Sequence, residues 1–167
     1  QSLERLIERV RDHVPGIAIR TTFITGFPGE TEEDFEELVE FVRNCRFDNV
    51  GVFTYSDEEG TPAYDLPDKV DPKTAEKRRT RLMKEQAKIS KLRNKEKVGN
   101  TYRVLFEGLS QESDLLFQGR LESQAEEIDG YILINDMPEA FQPEIGEIYN
   151  VRITEAYDYD LVGAIVN

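Results

Sequence analysis

Two short stretches of this sequence combine residue types suited to small charged ligands. The first is Gly26-Phe27-Pro28-Gly29-Glu30-Thr31. Its glycines let backbone groups approach a ligand closely, and exposed amides at a helix start suit a carboxylate or phosphate. Glu30 adds a carboxylate that accepts from an amine or hydroxyl. The second is Tyr55-Ser56-Asp57-Glu58-Glu59-Gly60-Thr61-Pro62-Ala63, with three consecutive acids that could meet a basic substrate. Taken singly, each has a plain reading as a glycine turn before a capped helix or as a solvated acidic loop. Redox and metal chemistry lack their usual ligands. The chain holds one cysteine, Cys45, and one histidine, His13. A thiolate cluster needs three or four cysteines, and zinc needs several Cys or His ligands. No catalytic residue and no metal ligand is therefore expected here. Cys45 closes an apolar helical face with Leu38, Phe41 and Val42 and reads as core, while His13, before Pro15, reads as surface or cap.

The elements that position these motifs follow from periodicity. Leu3, Leu6, Ile7 and Val10 recur at helical spacing until Pro15-Gly16. Ile17 to Ile24 is a β-branched run suited to a buried strand. Thr31 starts a helix, with Asp34 three residues on in a near capping box and Glu32 and Glu33 favouring its N-terminus. Phe35, Leu38, Val39 and Val42 form its apolar face, and Val50 to Tyr55 reads as a second strand. Helix, strand, helix, strand is the order of a parallel sheet with crossover helices. Two strands make no stable parallel sheet, so further strands are expected before residue 1. Both motifs then follow strand C-termini, where α/β folds hold ligands. An uncovered sheet edge pairs readily, so the isolated chain is expected to dimerise or exchange strands through it.

A loop from Ser56 to about Asp71 leads to Pro72 and one long basic helix, Lys73 to Lys97. Its apolar stripe is narrow: Ala75, Leu82 and Ile89, helped by Met83 and Leu92. So polar a helix reads as a linker, or as a positive surface for RNA. From Val98 the period becomes two. The sets Tyr102/Val104/Phe106, Leu115/Phe117/Leu121, Tyr131–Ile134, Tyr149/Val151/Ile153 and Tyr157/Tyr159/Leu161/Ile165 predict five short strands. The expected fold is thus α/β plus all-β, ending in a closed five-stranded antiparallel barrel. Its parts are residues 1–72, a linker helix 73–97 and the barrel 98–167. Asp158 and Asp160, alternating with Tyr157, Tyr159 and Leu161, are expected on the solvent side of the last strand, open to a partner.

Charge divides along the same lines. The net charge is −13, yet residues 73–97 carry 11 basic and 3 acidic side chains, and residues 98–167 carry 3 basic and 14 acidic. Nucleic-acid affinity comes mostly from Lys and Arg at phosphates, so the barrel is expected to avoid RNA and to favour a cationic partner. No apolar run approaches the roughly 20 residues that span a bilayer. A lone cysteine excludes an internal disulfide and fits a reducing, cytoplasmic setting.

The order strand, Gly-Phe-Pro-Gly-Glu-Thr, helix, strand, Tyr-Ser-Asp-Glu-Glu-Gly-Thr-Pro-Ala, basic helix and small barrel resembles the methylthiotransferases. These are radical S-adenosylmethionine enzymes with a C-terminal TRAM barrel. The resemblance covers essentially the whole chain from the Arg20–Ile24 strand onward. Members acting on tRNA usually carry Arg-Pro before the Gly-Thr of the second motif. Glu58-Glu59 stands there instead and resembles the RimO-like branch, which modifies an aspartate of ribosomal protein S twelve.

The resemblance implies the last units of a partial (β/α) radical-SAM barrel followed by an OB-like TRAM domain. It implies that the family's two [4Fe-4S] clusters, held by cysteines absent here, lie upstream, so that this segment alone is inactive. It implies that Gly26, Phe27, Pro28, Gly29 and Glu30, with Arg20 and Thr22 pointing into the barrel, wall the S-adenosylmethionine pocket. Tyr55, Glu58, Glu59 and Thr61 then face the substrate, with Asp158 and Asp160 on the barrel. Two alternatives stand beside it: a tRNA adenosine methylthiotransferase that uses the basic helix, and a stand-alone protein-binding module.

Overall fold

A computed structural model of the chain describes residues 2–110, 113–126 and 128–166. It forms two compact units, Gln1–Ile89 and Ser90–Asn167.

In the first unit, α1 (Leu3–His13), β1 (Arg20–Thr25), α2 (Glu32–Cys45), β2 (Asn49–Thr54) and α3 (Pro72–Lys97, as far as Ile89) follow in order. β1 and β2 pair in parallel, Arg20 against Asn49 through Thr25 against Thr54. α2 starts with a complete capping box: the Thr31 side chain accepts from the Asp34 amide, and Asp34 Oδ2 accepts from the Thr31 amide at 2.8 Å. The Thr31 hydroxyl, which donates to Asp34 Oδ2 at 2.6 Å, and then the Thr31 amide hold the Asp34 carboxyl below its ordinary range. At the other end, Arg46 turns left-handed and Arg11 donates to the carbonyls of Cys45 and Arg46, closing orphan groups of the last turn.

Phe35, Val39, Val42, Cys45, Phe47, Val50 and Val52 form the core between α2 and one sheet face, and α3 adds Leu82 and Ile89. The Cys45 thiol is buried, which raises its pKa. α1 buries no residue fully, and Leu3 and Leu6 stay exposed, although Ile7 reaches the core.

The stripe Ala75, Leu82 and Ile89 is buried, as its spacing predicts, but polar side chains widen it. Arg78 and Gln86 are also buried, and Gln86 Nε2 donates to the Phe47 carbonyl at 3.0 Å. Hydropathy alone misses this face, because its polar members reach partners remote in the chain.

In the second unit, β3 (Thr101–Ser110), β4 (Ser113–Leu121), β5 (Ile132–Asp136), β6 (Ile148–Ala156) and β7 (Leu161–Ile165) close a barrel in the order β3-β4-β5-β7-β6. Val104, Phe106, Leu121, Ile132, Ile134, Val151, Ile153, Leu161 and Ile165 fill it. The barrel is mixed, because β5 and β7 run parallel. Gly119 and Gly163 permit the close strand approach: a Cβ at Gly163 would lie 2.6 Å from Val151 Cγ1 and 2.7 Å from the Arg152 carbonyl oxygen.

Two expectations need correction. Leu115 is 90% exposed and outside the core, because it lies near the start of β4. Tyr157 to Asp160 precede β7 and form a tight turn in which the Tyr157 amide donates to the Asp160 carbonyl at 2.8 Å. Asp158 and Asp160 are therefore not alternating strand residues.

Candidate functional site

The turn after β1 is held from within. Gly26 and Gly29 take positive φ, +79° and +84°. This curls the backbone so that the amides of Gly26 and Phe27 converge on Glu30 Oε2, with Phe27 N at 3.2 Å. The turn's own carboxylate thus fills the anion cradle that the glycine spacing predicts for a ligand. The other carboxylate oxygen, Oε1, is buried without a hydrogen bond but lies 3.3 Å from Arg78 Nη1, which donates to the Glu30 carbonyl at 3.1 Å. Arg78 Nη2 reaches Glu32 Oε2 at 3.0 Å, and its guanidinium lies over the Phe35 ring.

A cavity of about 230 Å³ opens beside this turn, lined by Gly26, Thr54, Tyr55, Asp57, Lys69, Val70, Pro72, Ala75 and Glu76. It lies at the C-terminal ends of β1 and β2, where both motifs were expected to meet. Gly26 packs against α3 so closely that a Cβ there would lie 2.4 Å from Ala75 Cβ. Thr25, fully buried, donates from Oγ1 to the Ala75 carbonyl at 3.1 Å, fastening the start of α3 over the strand ends.

Tyr55 continues from β2, its amide donating to the Thr25 carbonyl at 2.8 Å and its ring edge-on to Phe27. Its hydroxyl is buried and makes no hydrogen bond of good geometry, although the Asp57 carboxylate lies beside it. Partial burial, reinforced by Asp57, raises the Tyr55 pKa.

Of the residues expected at the site, only Gly26 and Tyr55 line this cavity. Phe27 packs on Tyr55, Pro28 is buried and Gly29 is exposed. Arg20 and Thr22 occupy the exposed face of the sheet with Ile24 and Phe53, and do not line the cavity. Glu58, Glu59 and Thr61 are exposed in the following loop, where Thr61 Oγ1 donates to the Glu58 carbonyl at 2.8 Å. Asp57 leaves the acidic triplet altogether: it pairs with Lys69, which also donates to the Ala63 carbonyl at 3.0 Å and lies over the Tyr55 and Tyr64 rings. In the second unit, Asp158 Oδ1 pairs with Lys91 Nζ at 2.8 Å, and Asp160 Oδ1 accepts from the Tyr131 amide at 2.9 Å. Both carboxylates are engaged within their own unit.

Residues 98–166 match the TRAM domain family. Across 97% of its length the chain is 54% identical to a protein of Solibacter usitatus described as ribosomal protein uS12 methylthiotransferase RimO. Proteins of the same description from Myxococcus xanthus and Geobacter sulfurreducens are 51% and 45% identical over 98% and 99% of the chain. The chain belongs to the C-terminal part of the RimO family. It spans about a third of the length of these relatives, 34 to 36%.

Gly26 of the first motif and Tyr55 and Asp57 of the second therefore meet at one cavity, although much of each motif serves the fold. Lys69, Val70, Ala75 and Glu76 reach that cavity without any signal in the two motifs. Only a lone lysine in an acidic loop hinted at Lys69.

The Asp57–Lys69 pair gives a pH test. Lys69 holds the Asp57 carboxyl below its ordinary 3.8 and is itself raised by Asp57. For a depressed carboxyl the stabilisation is present above the unfolded pKa and lost as pH falls through the folded one. The loop latch should persist through neutral and mildly acidic pH and release only below 3.8. Carboxyl-carbon NMR titration of Asp57 reads this directly. Lys69→Met should return Asp57 to the ordinary carboxylate range, and an unmoved titration would show that Lys69 does not set it.

Proposed function

We propose that this chain forms the substrate-facing end of an enzyme that adds a methylthio group to the β-carbon of an aspartate in ribosomal protein uS12. The observation that carries this reading is that Gly26 of the first motif and Tyr55 and Asp57 of the second line one cavity at the strand ends, in a chain similar to RimO proteins over 97% of its length. The strongly acidic barrel agrees with a basic protein substrate, since opposite potentials favour encounter and register. The protein is expected to work in the cytoplasm; among the described residues no helix is long and apolar enough to cross a membrane.

Part of S-adenosylmethionine suits the cavity. The Tyr55 hydroxyl is a buried polar group without a hydrogen bond, and Tyr55 lines the cavity beside Gly26 and Thr54. When bound, that cofactor supplies the hydrogen-abstracting chemistry. The role of this chain is to seat one end of it against Gly26, Thr54 and Tyr55, and to exclude water with α3. Iron–sulfur clusters do not fit the chain. Its single cysteine is buried at the end of α2, and among the described residues no three His, Cys, Asp or Glu side chains are grouped to hold a metal.

On the substrate side we assign Glu58, Glu59 and Thr61, exposed at the mouth of the loop that Lys69 latches. The full-length protein, incubated with purified uS12, S-adenosylmethionine, a sulfur source and a reductant, should add one methylthio group to one aspartate, read by peptide mass spectrometry. Transfer to tRNA adenosine with uS12 unmodified would overturn the assignment.

A further inference from the structure

The cations of α3 divide by residue type. The arginines hold the fold: Arg78 pairs with Glu30 and Glu32, Arg79 with Glu76, and Arg81 with Glu36. The lysines do not. Lys73, Lys77 and Lys84 are exposed, and among the described residues none of them makes an ion pair. Lys88 is exposed as well and reaches only Glu85, which Arg43 also contacts.

These lysines fall on one line. At ~3.6 residues per turn, Lys73, Lys77, Thr80, Lys84 and Lys88 share a narrow face opposite the buried Ala75, Arg78, Leu82, Gln86 and Ile89. At a rise of about 1.5 Å per residue the row extends about 22 Å. A shallow groove of about 360 Å³, lined by Glu76, Lys77, Thr80, Arg81 and Lys84, runs along it.

Like charges one helical turn apart repel and cost helix stability. In a chain with 34 acidic side chains, partners for these lysines would have been easy to supply, so folding does not explain the row. A line of exposed ammonium groups, three of them unpaired among the described residues, matches a regularly charged polyanion, and phosphate neutralisation by lysine is the general source of nucleic-acid affinity. We propose that this lysine face grips the phosphate backbone of RNA and brings the enzyme to its protein substrate while that substrate is bound to ribosomal RNA. This rests on the functional reading above, which makes the substrate a ribosomal protein. RNA is favoured over an acidic protein because a ribosomal protein has RNA as its polyanionic neighbour.

The test uses the full-length protein and a triple variant, Lys73→Gln, Lys77→Gln and Lys84→Gln. Glutamine keeps the helix propensity, and helical circular dichroism verifies the fold. With a short fluorescein-labelled RNA duplex as probe, the variant should bind about 100-fold more weakly near physiological salt. The slope of log affinity against log salt should shrink by about 2 to 3. Methylthio transfer to free uS12 should be unchanged, whereas transfer to uS12 in small ribosomal subunits should fall. Unchanged affinity and slope overturn the proposal. So does displacement of the duplex by polyglutamate at matched charge, which assigns the face to acidic proteins. Duplex binding through these lysines without any transfer to uS12 supports the RNA face and overturns the functional reading instead.

Discussion

Gly26→Ala should destabilise the first unit by about 3 kcal/mol, combining the cost of a left-handed backbone at a non-glycine residue with overpacking. The new Cβ would sit 2.4 Å from Ala75 Cβ and 3.3 Å from Ala75 Cα, so α3 would have to lift from the ends of β1 and β2. Gly29→Ala provides the control. Its φ is +84°, yet nothing lies within 4 Å of the added carbon, so only the backbone cost of about 1 kcal/mol is expected. Urea unfolding followed by helical circular dichroism separates the two, because α1, α2 and most of α3 lie in the first unit. Equal midpoints for both variants would mean that close packing on Ala75 contributes nothing.

Arg78→Met is expected to cost about 3 to 5 kcal/mol, since it strands a largely buried carboxylate without its counter-charge. The side chains of Arg78 and Glu30 are only 8% and 12% exposed. The arginine also donates to the Glu30 carbonyl and to Glu32, so its loss frees the turn and the first turn of α2 together. Arg78→Met with Glu30→Gln should recover part of the loss, because a neutral amide can still bond the Gly26 and Phe27 amides. A double-mutant cycle on denaturation free energies measures that coupling. A loss below about 1 kcal/mol for Arg78→Met, typical of an exposed pair, would show that the guanidinium is not what holds the turn. In the full-length enzyme both Gly26→Ala and Arg78→Met should lower transfer to uS12, since each displaces the cavity wall at Gly26.

Much of the architecture was legible because its signals are local. Period-two runs marked Val104/Phe106 and Val151/Ile153 as pairs on one face, and all four are buried. Thr31 and Asp34 stand three residues apart, so their capping box could be read directly. The stripe Ala75, Leu82 and Ile89 was visible for the same reason. Legibility failed at Tyr157 to Asp160, where alternation of aromatic and acidic residues mimics a strand. A turn closed by the Asp160 carbonyl and an Asp160 side chain bound to the Tyr131 amide override that pattern. It failed again at Leu115, since alternation cannot tell the end of a strand from its body.

Sequence by itself determined the elements, the two-part composition, the acidic character of the barrel and the family. Each of these depends on residue type and spacing along one segment. Only the tertiary structure decided who occupies whom: Glu30 bonds its own turn, Asp57 is neutralised by Lys69, and Arg78 reaches back 48 residues to the Glu30 carbonyl. A charged side chain announces its need for a partner, but the partner is set by which surfaces the packing of apolar faces brings within ~3 Å of it. That is why the candidate site's location could be read from the chain, while its free and engaged groups could be told apart only after folding.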